Sequence, residues 1–511
     1  MNSNAPVVET KEGLIQGGIE GRVFVFKGVP YAAPPLGNLR WRAPEPVTKW
    51  PDIYRADHYG PANFQNAKLC EAMAGGDPGP LSEDCLYLNV WTPRLDKNAE
   101  LPVMVWIHGG GYLLGSGGLP PYIGAPLASR QVVVVSINYR LGHLGFFAHP
   151  ALDRENGGTA VCNFALLDQM AALEWVQRNI AGFGGDPHNV TLFGQSAGGR
   201  SVLSLFAAPQ ARGLFHKGIA QSVYGLPDSP RKDALERGVK FADCHKLGGA
   251  DASAERLRQL PAEHFWALDP ALAPFGGPVP ISGDTVLPKP ILEVFEQGEQ
   301  ALLPLIIGNN SDDSSILDDF GFSPVEIIEA LTPEQYEWVK GLYPGLPDDE
   351  ELGRQVGRDL LFSTMAYVIV EAHRAKGAAS WRYYFEYVAE QSRPGFPHGA
   401  RHGDEIAYVL GTGIVAPPQD QPLTEPDQTF ARRVSAYWLA FAHLADGADS
   451  IETPGEVAWK KHKPLVPGLL VGQAMRFGKD VSDGIALEDN FMALRVLAFA
   501  PLLKDLGALL P

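Results

Sequence analysis

Short apolar runs recur along this chain, and stretches of helical periodicity separate them. "LPVMVWI" (101–107), "QVVVVSINY" (131–139), "NVTLF" (189–193), "KGIAQSV" (217–223), "LLPLIIG" (302–308) and "WRYYFEYV" (381–388) are brief, bounded and rich in β-branched or aromatic residues. That pattern predicts buried strands. Between them, "LLDQMAALEWVQRNI" (166–180) and "GRSVLSLFAA" (199–208) repeat their apolar residues at helical spacing. Strands that alternate with helices demand crossover connections, hence an α/β fold with a mostly parallel sheet flanked by helices on both faces. Such sheets present their functional loops at the carboxyl ends of the strands. No repeat or long linker divides residues 1–511, which read as one large domain. Residues 225–300 and 315–375 mix helical pieces with Pro and Gly breaks, and read as insertions packed over the sheet.

Composition excludes several partners. The formal net charge is −17. No cationic field exists to recruit nucleic acid or an anionic membrane surface. The opening "MNSNAPVVETKEG" has no basic and apolar leader pattern, which points to a cytoplasmic protein, with a secreted protein lacking its signal peptide as the alternative. The apolar stretch "FMALRVLAFAPLLKDLGALL" is interrupted by Arg495, Pro501, Lys504 and Asp505, so a docked helix is expected there rather than a membrane span. The four cysteines, Cys70, Cys85, Cys162 and Cys244, form no C-x-x-C pair, and no metal cluster or nucleotide fingerprint occurs. No metal or cofactor is therefore expected. Cys70 and Cys85 flank a Gly/Pro-rich loop, and the residues alone leave free thiols and one disulfide equally open.

The chemistry gathers at Gly194-Gln195-Ser196-Ala197-Gly198, a G-x-S-x-G set between a strand and a helix. The turn needs small neighbours because the serine is held in a strained conformation at a tight elbow. A serine hydroxyl also needs a base, an acid to orient that base, and donors for the oxyanion. "HGGG" (108–111) directly follows the strand 101–107, and its glycines leave backbone N–H groups unobstructed. The N–H groups of Gly110, Gly111 and Ala197 are the expected oxyanion hole. A phosphate loop would need Gly-Lys-Ser/Thr, which is absent. After the strand 302–308, "NNSDDS" offers Asp312 and Asp313 as the acid. Five histidines follow, and only His398 and His402 lie in a Gly-rich loop, "PHGARHGDE". Spacing alone does not choose within either pair.

Taken together, the chain resembles the type-B carboxylesterases, a branch of the α/β-hydrolases that includes cholinesterases and bacterial nitrobenzyl esterases. The likeness is carried by "FKGVPYAAPPLGNLRWRAPEPVTKW", "SEDCLYLNVWTP", "HGGGYLLGS", "VVVVSINYRLGHLGF", "DQMAALEWVQRNIAGFGGDPHNVTLFGQSAGG", "GLFHKGIAQS" and "GARHGDEIAYVLG", in family order. The resemblance implies an α/β-hydrolase fold with helical insertions over the active site. It implies a serine esterase that acts on a small-molecule carboxylic ester, as a monomer or homodimer. It places the acid on Asp313 and the base on His402, and leaves His398 a bystander. It also implies a Cys70–Cys85 disulfide, with Cys162 and Cys244 free. An aromatic-lined gorge follows from it as well, with Tyr112, Tyr224, Phe275 and Phe320 as candidate walls, and Phe265, Phe322 and Phe362 beside them. Alternatives are an amide, carbamate or lactone hydrolase, or a non-catalytic binding protein on the same fold.

Four positions depart from the family pattern. Gln195 replaces the usual Glu before the serine. Asp313 replaces the commoner Glu. Ser314 stands where Gly usually follows the acid. "QSVYG" interrupts the usual "QSG", which puts Val223 and Tyr224 in the acyl-side wall. Gln195 keeps hydrogen bonding without charge, which favours neutral esters over choline-like ones. Arg140, Asp168 and Glu405 are expected in buried ion pairs. The sequon Asn189-Val190-Thr191 lies on the strand feeding Ser196, where glycosylation is not expected.

Overall fold

The structure is a computed structural model that describes residues 5–265, 279–319, 321–418, 421–464, 472–478 and 484–505. The chain divides into two compact units, Met1–Gly218 with Asp228–Ala301, and Ile219–Pro227 with Leu302–Pro511.

In the first unit, six strands lie in the order Gly185–Gln195, Leu101–Ile107, Val133–Ile137, Tyr87–Thr92, Val23–Pro30 and Gly18–Glu20. The first three are parallel, with Val105 opposite both Val135 and Leu192. Every residue of Leu101–Ile107 and Val133–Ile137 is buried, as strands covered on both faces require. The last three pairings are antiparallel. The parallel expectation therefore holds for the central strands and fails at this margin. Val23–Pro30 carries Lys27 and Gly28 inside its run, and a bulge between Phe26 and Val29 breaks its alternation.

The helix Phe164–Asn179 carries Asp168, which binds Arg140 through two parallel bonds, Nε to Oδ2 at 2.8 Å and Nη2 to Oδ1 at 2.7 Å. Both side chains are buried. Asp168→Ala would strand a buried guanidinium and should cost about 3–5 kcal/mol of stability. A urea midpoint equal to that of wild type would refute this. The helix Arg231–Cys244 lies in the first expected insertion and packs Phe241 with Trp41, Phe147 and Phe265 in one aromatic cluster.

In the second unit, Ile485–Glu488, Ala474–Phe477, Ser380–Phe385 and Leu305–Asn310 lie in that order, and the last is followed by the end of Lys217–Gln221. The three middle strands are parallel, and the outermost pair is antiparallel. Trp438 and Phe477 pack at 5.8 Å in the core, and Tyr383 meets Trp438 edge-on at 5.4 Å. The helix Glu425–Ala442 begins at Thr424, which caps it. Near the C-terminus, a helix spans Ala493–Phe499, and a 3₁₀ turn spans Ala500–Asp505. Among the described residues no helix is long and apolar enough to cross a membrane.

Candidate active site

Strand Gly185–Gln195 ends one residue before Ser196, and the fully buried helix Ala197–Ala207 begins one residue after it. Ser196 has φ 56° and ψ −122°, a region that a non-glycine residue enters only under constraint. The constraint is visible at Gly198. A Cβ there would lie 2.0 Å from the carbonyl oxygen of Ile107, so the elbow helix approaches the neighbouring strand more closely than any side chain permits. Gly109 is bound the same way: its Cβ would come within 2.8 Å of the Gln195 carbonyl oxygen and 3.3 Å of Ser196 Cβ. The glycine loop therefore lies directly beside the serine.

Gly110 and Gly111 have φ of 100° and 61°, which turns this loop through left-handed conformations. His108 anchors the loop. Its Nδ1 donates to the Gly109 carbonyl at 2.8 Å, and its ring stacks on Tyr139 at 4.5 Å. Tyr139 Oη in turn donates to the His108 carbonyl at 2.7 Å. Burial lowers the pKa of His108 to about 4, so the ring is neutral. Gln65 closes the far end of the loop by exchanging two hydrogen bonds with Gly115. Gln65 carries no motif signal, and Tyr139 lies in the landmark "VVVVSINYRLGHLGF" without any sign there that it anchors this loop.

In the second unit, the strand Leu305–Asn310 leads into the turn that carries Asp312 and Asp313. Asp313 is fully buried and accepts two hydrogen bonds. The Asn310 N–H donates to Oδ2 at 2.7 Å, and His402 Nδ1 donates to Oδ1 at 2.8 Å. The His402 backbone N–H donates to Ser315 Oγ at 3.0 Å, which ties His402 to the turn that carries Asp313. Burial opposes charge on the imidazole, but the Asp313 carboxylate outweighs it and raises the pKa of His402.

Asp312 instead faces Arg354 at 3.7 Å, and burial pushes its pKa up to about 6. His398 meets Glu351 at 2.7 Å, well exposed. The structure thus brings Asp313 and His402 together and leaves Asp312 and His398 apart from them. Asn310 and Ser315 were missed by sequence reasoning, although the polar density of "NNSDDSS" signals a hydrogen-bonded turn.

Several expectations are corrected. Among the described residues Glu405 forms no ion pair with an arginine. It is buried and accepts from Asn310 Nδ2 at 2.6 Å and Gln221 Nε2 at 3.0 Å, and burial raises its pKa. Cys70 and Cys85 are free buried thiols, so the implied disulfide is not formed. Asn63 Nδ2 donates to the Cys85 sulfur at 3.3 Å, while Cys70 faces the Gly115 backbone, so the thiols have separate partners. Tyr112 is fully buried, with Ser201 Oγ 3.3 Å from its Oη and Phe146 edge-on, and offers no surface to a ligand. Phe265 sits in the aromatic cluster with Trp41 rather than in a wall. Tyr224 is half-buried, and Gln195 is buried beside the glycine loop. Phe275 and Phe320 lie outside the described residues.

The sequence matches the carboxylesterase family over residues 4–343 and 348–470. The chain belongs to the carboxylesterase family. Among relatives, a fumonisin B1 esterase of Sphingopyxis macrogoltabida is 34% identical over 503 residues, covering 94% of this chain and 88% of that protein. A para-nitrobenzyl esterase of Bacillus subtilis is 34% identical over 464 residues, covering 85% and 89%. A solved carboxylesterase of Geobacillus stearothermophilus superposes with a TM-score of 0.81 at 30% identity, covering 96% of this chain and 99% of that one. The chain has the α/β-hydrolase fold and hydrolyses carboxylic esters as a serine esterase. The family acts on small-molecule esters.

Proposed function

We propose that Ser196 is the nucleophile, His402 the general base, Asp313 the acid that orients it, and the N–H groups of Gly110, Gly111 and Ala197 the oxyanion donors. The strained serine beside the glycine loop carries this reading. Ser196 Oγ attacks the ester carbonyl as His402 takes its proton, and the carbonyl oxygen becomes an oxyanion held by the three N–H groups. His402 Nε2 then protonates the leaving alcohol. Water repeats the cycle on the acyl-enzyme and releases the acid. The Nδ1–Asp313 bond supports this role because it fixes the tautomer in which Nε2 is the nitrogen that accepts a proton.

We propose neutral esters as substrates, cleaved by a monomer or homodimer. The uncharged Gln195 supports neutrality, as no carboxylate beside the serine attracts a cationic alcohol. The free buried thiols of Cys70 and Cys85 support a cytoplasmic setting. Half-buried Tyr224 remains a candidate for the acyl-side wall.

The test is a panel of esters in which acyl and alcohol groups vary independently, with p-nitrobenzyl esters and fumonisin B1 among them and matched amides alongside. A fluorophosphonate should label wild type and not Ser196→Ala. Equal labelling of the two proteins would refute the nucleophile. A kcat/KM for amides above that for matched esters would refute the substrate class.

Gln195→Glu makes a separate prediction. An added negative charge stabilises the imidazolium, raises the pKa of His402, and so moves the acid limb of the kcat/KM profile to higher pH, by about 0.5–1 unit. An unmoved limb would mean that this side chain does not act on the base.

A further inference from the structure

The helical stretch from Asp349 to Ala375 is not regular. Asp349–Arg358 and Thr364–Ala375 are α-helical, and Asp359–Ser363 between them form a π-turn, closed by the Thr364 N–H on the Asp359 carbonyl. A π-turn inserts one residue at the expense of hydrogen-bond geometry and persists where other groups hold it. Four side chains hold this one by gripping Asp359, which is fully buried. Its Oδ1 accepts from Arg358 Nε at 2.7 Å and Ser363 Oγ at 3.1 Å. Its Oδ2 accepts from Tyr343 Oη at 2.8 Å and forms an ion pair with Arg495 Nη1 at 3.1 Å. Arg495 belongs to the helix Ala493–Phe499 and lies over the Tyr343 ring at 5.0 Å. Burial disfavours the carboxylate, but the two guanidinium groups outweigh it and hold the Asp359 pKa below the usual range.

Two contacts run from this turn and its flank toward His402 and Asp313, and a third toward the segment after Gln221. Phe362, inside the turn, sets its ring 5.4 Å from the His402 ring at an interplanar angle of 50°. Arg358 Nη1 donates to the Ser311 carbonyl at 3.1 Å, in the turn that carries Asp313. The Leu361 carbonyl accepts from the Gly225 N–H at 2.6 Å, just past Val223 and Tyr224, where the chain departs from Q-S-G. Without the inserted residue, Phe362 would rotate about 100° around the helix axis and leave His402.

We propose that Asp359 is a positioning residue for ester hydrolysis: it clamps the π-turn with Arg358 and Arg495, and so sets His402 through Phe362 and the Asp313 turn through Ser311. The proposal rests on the assignment of His402 and Asp313 above. It makes the helix Ala493–Phe499, through Arg495, a support of the acid–base pair.

The test uses the full chain and p-nitrophenyl acetate, with kcat and KM measured from acid to alkaline pH. Asp359→Asn and Arg495→Met should lower kcat about 10–100-fold and change KM by no more than about twofold, since small misplacements of a catalytic group act on the chemical step. Arg495→Lys should recover most of the loss. Phe362→Leu leaves the ion pairs intact and admits water to the imidazole. Its positive form is then better solvated, the pKa of His402 rises, and the acid limb of kcat/KM moves to higher pH. The charged groups that act on His402, Asp313, Glu405 and Asp319, are unaltered in every variant.

If Asp359→Asn does not fold, Arg495→Met and Phe362→Leu carry the test. Folded Arg495→Met and Phe362→Leu proteins with wild-type kcat and pH profile would overturn the proposal, even if their thermal midpoints fall. Loss of turnover in His402→Ala alongside that result would leave the triad standing and remove only the positioning role. Retained turnover in His402→Ala would remove the triad itself.

Discussion

Ser196→Ala is expected to lower kcat about 10⁴–10⁶-fold, because in the proposed triad the serine, base and acid act as a unit and the proposed oxyanion donors alone supply only a residual rate. The fold should survive. Ser196 is a small residue held at φ 56° by its neighbours, and the close packing that holds it runs through Gly198 and Ile107 rather than through its hydroxyl. Alanine meets the same backbone cost and the same space. Circular dichroism and the thermal midpoint should therefore match wild type, while steady-state turnover and fluorophosphonate labelling disappear. A folded variant with turnover within about tenfold of wild type would place the nucleophile elsewhere.

Asp313→Asn should cost about 10⁴ in kcat with little change in substrate binding. Asp313 uses both oxygens, one for the Asn310 N–H and one for His402 Nδ1. An asparagine has a single acceptor oxygen. If that oxygen stays on Asn310, the amide NH₂ faces the imidazole and demands a bare Nδ1. The proton then sits on Nε2, the nitrogen that must take a proton from Ser196. The carboxylate that raises the pKa of His402 is lost as well, so the acid limb should move to lower pH as the rate falls. A kcat within about tenfold of wild type, or a limb moved to higher pH, would refute this account of the acid.

Much of this was legible before any coordinates. The strand 101–107 was read to the residue, because a run buried on both faces is wholly apolar and stops where the glycine loop begins. The elbow was legible for a related reason. Ser196 must stand at a strained turn, and only glycine tolerates the 2.0 Å approach of Gly198 to Ile107, so the constraint is written as G-x-S-x-G. The margins of the sheet were less clear. Val23–Pro30 and Tyr87–Thr92 pair without a tight two-residue hairpin, and Lys27 and Gly28 blur the alternation that would mark the first of them.

Residue order alone therefore determined the α/β class, the elbow at Ser196 and the glycine loop. In each, neighbouring residues satisfy a local steric demand and leave a local pattern. Other features are settled only by contacts between residues far apart in the chain. Which carboxylate lies against His402, Asp313 or Asp312, depends on a contact made across 89 residues. The free thiols of Cys70 and Cys85 have partners that the sequence does not show, Asn63 for one and the Gly115 backbone for the other. Asp359 became visible only when Tyr343 and Arg495 were found around it, since a buried carboxylate must be neutralised and hydrogen-bonded by whatever the fold brings near. Local geometry leaves its mark on sequence spacing. The pairing of buried charges belongs to tertiary structure, because burial is what makes pairing necessary.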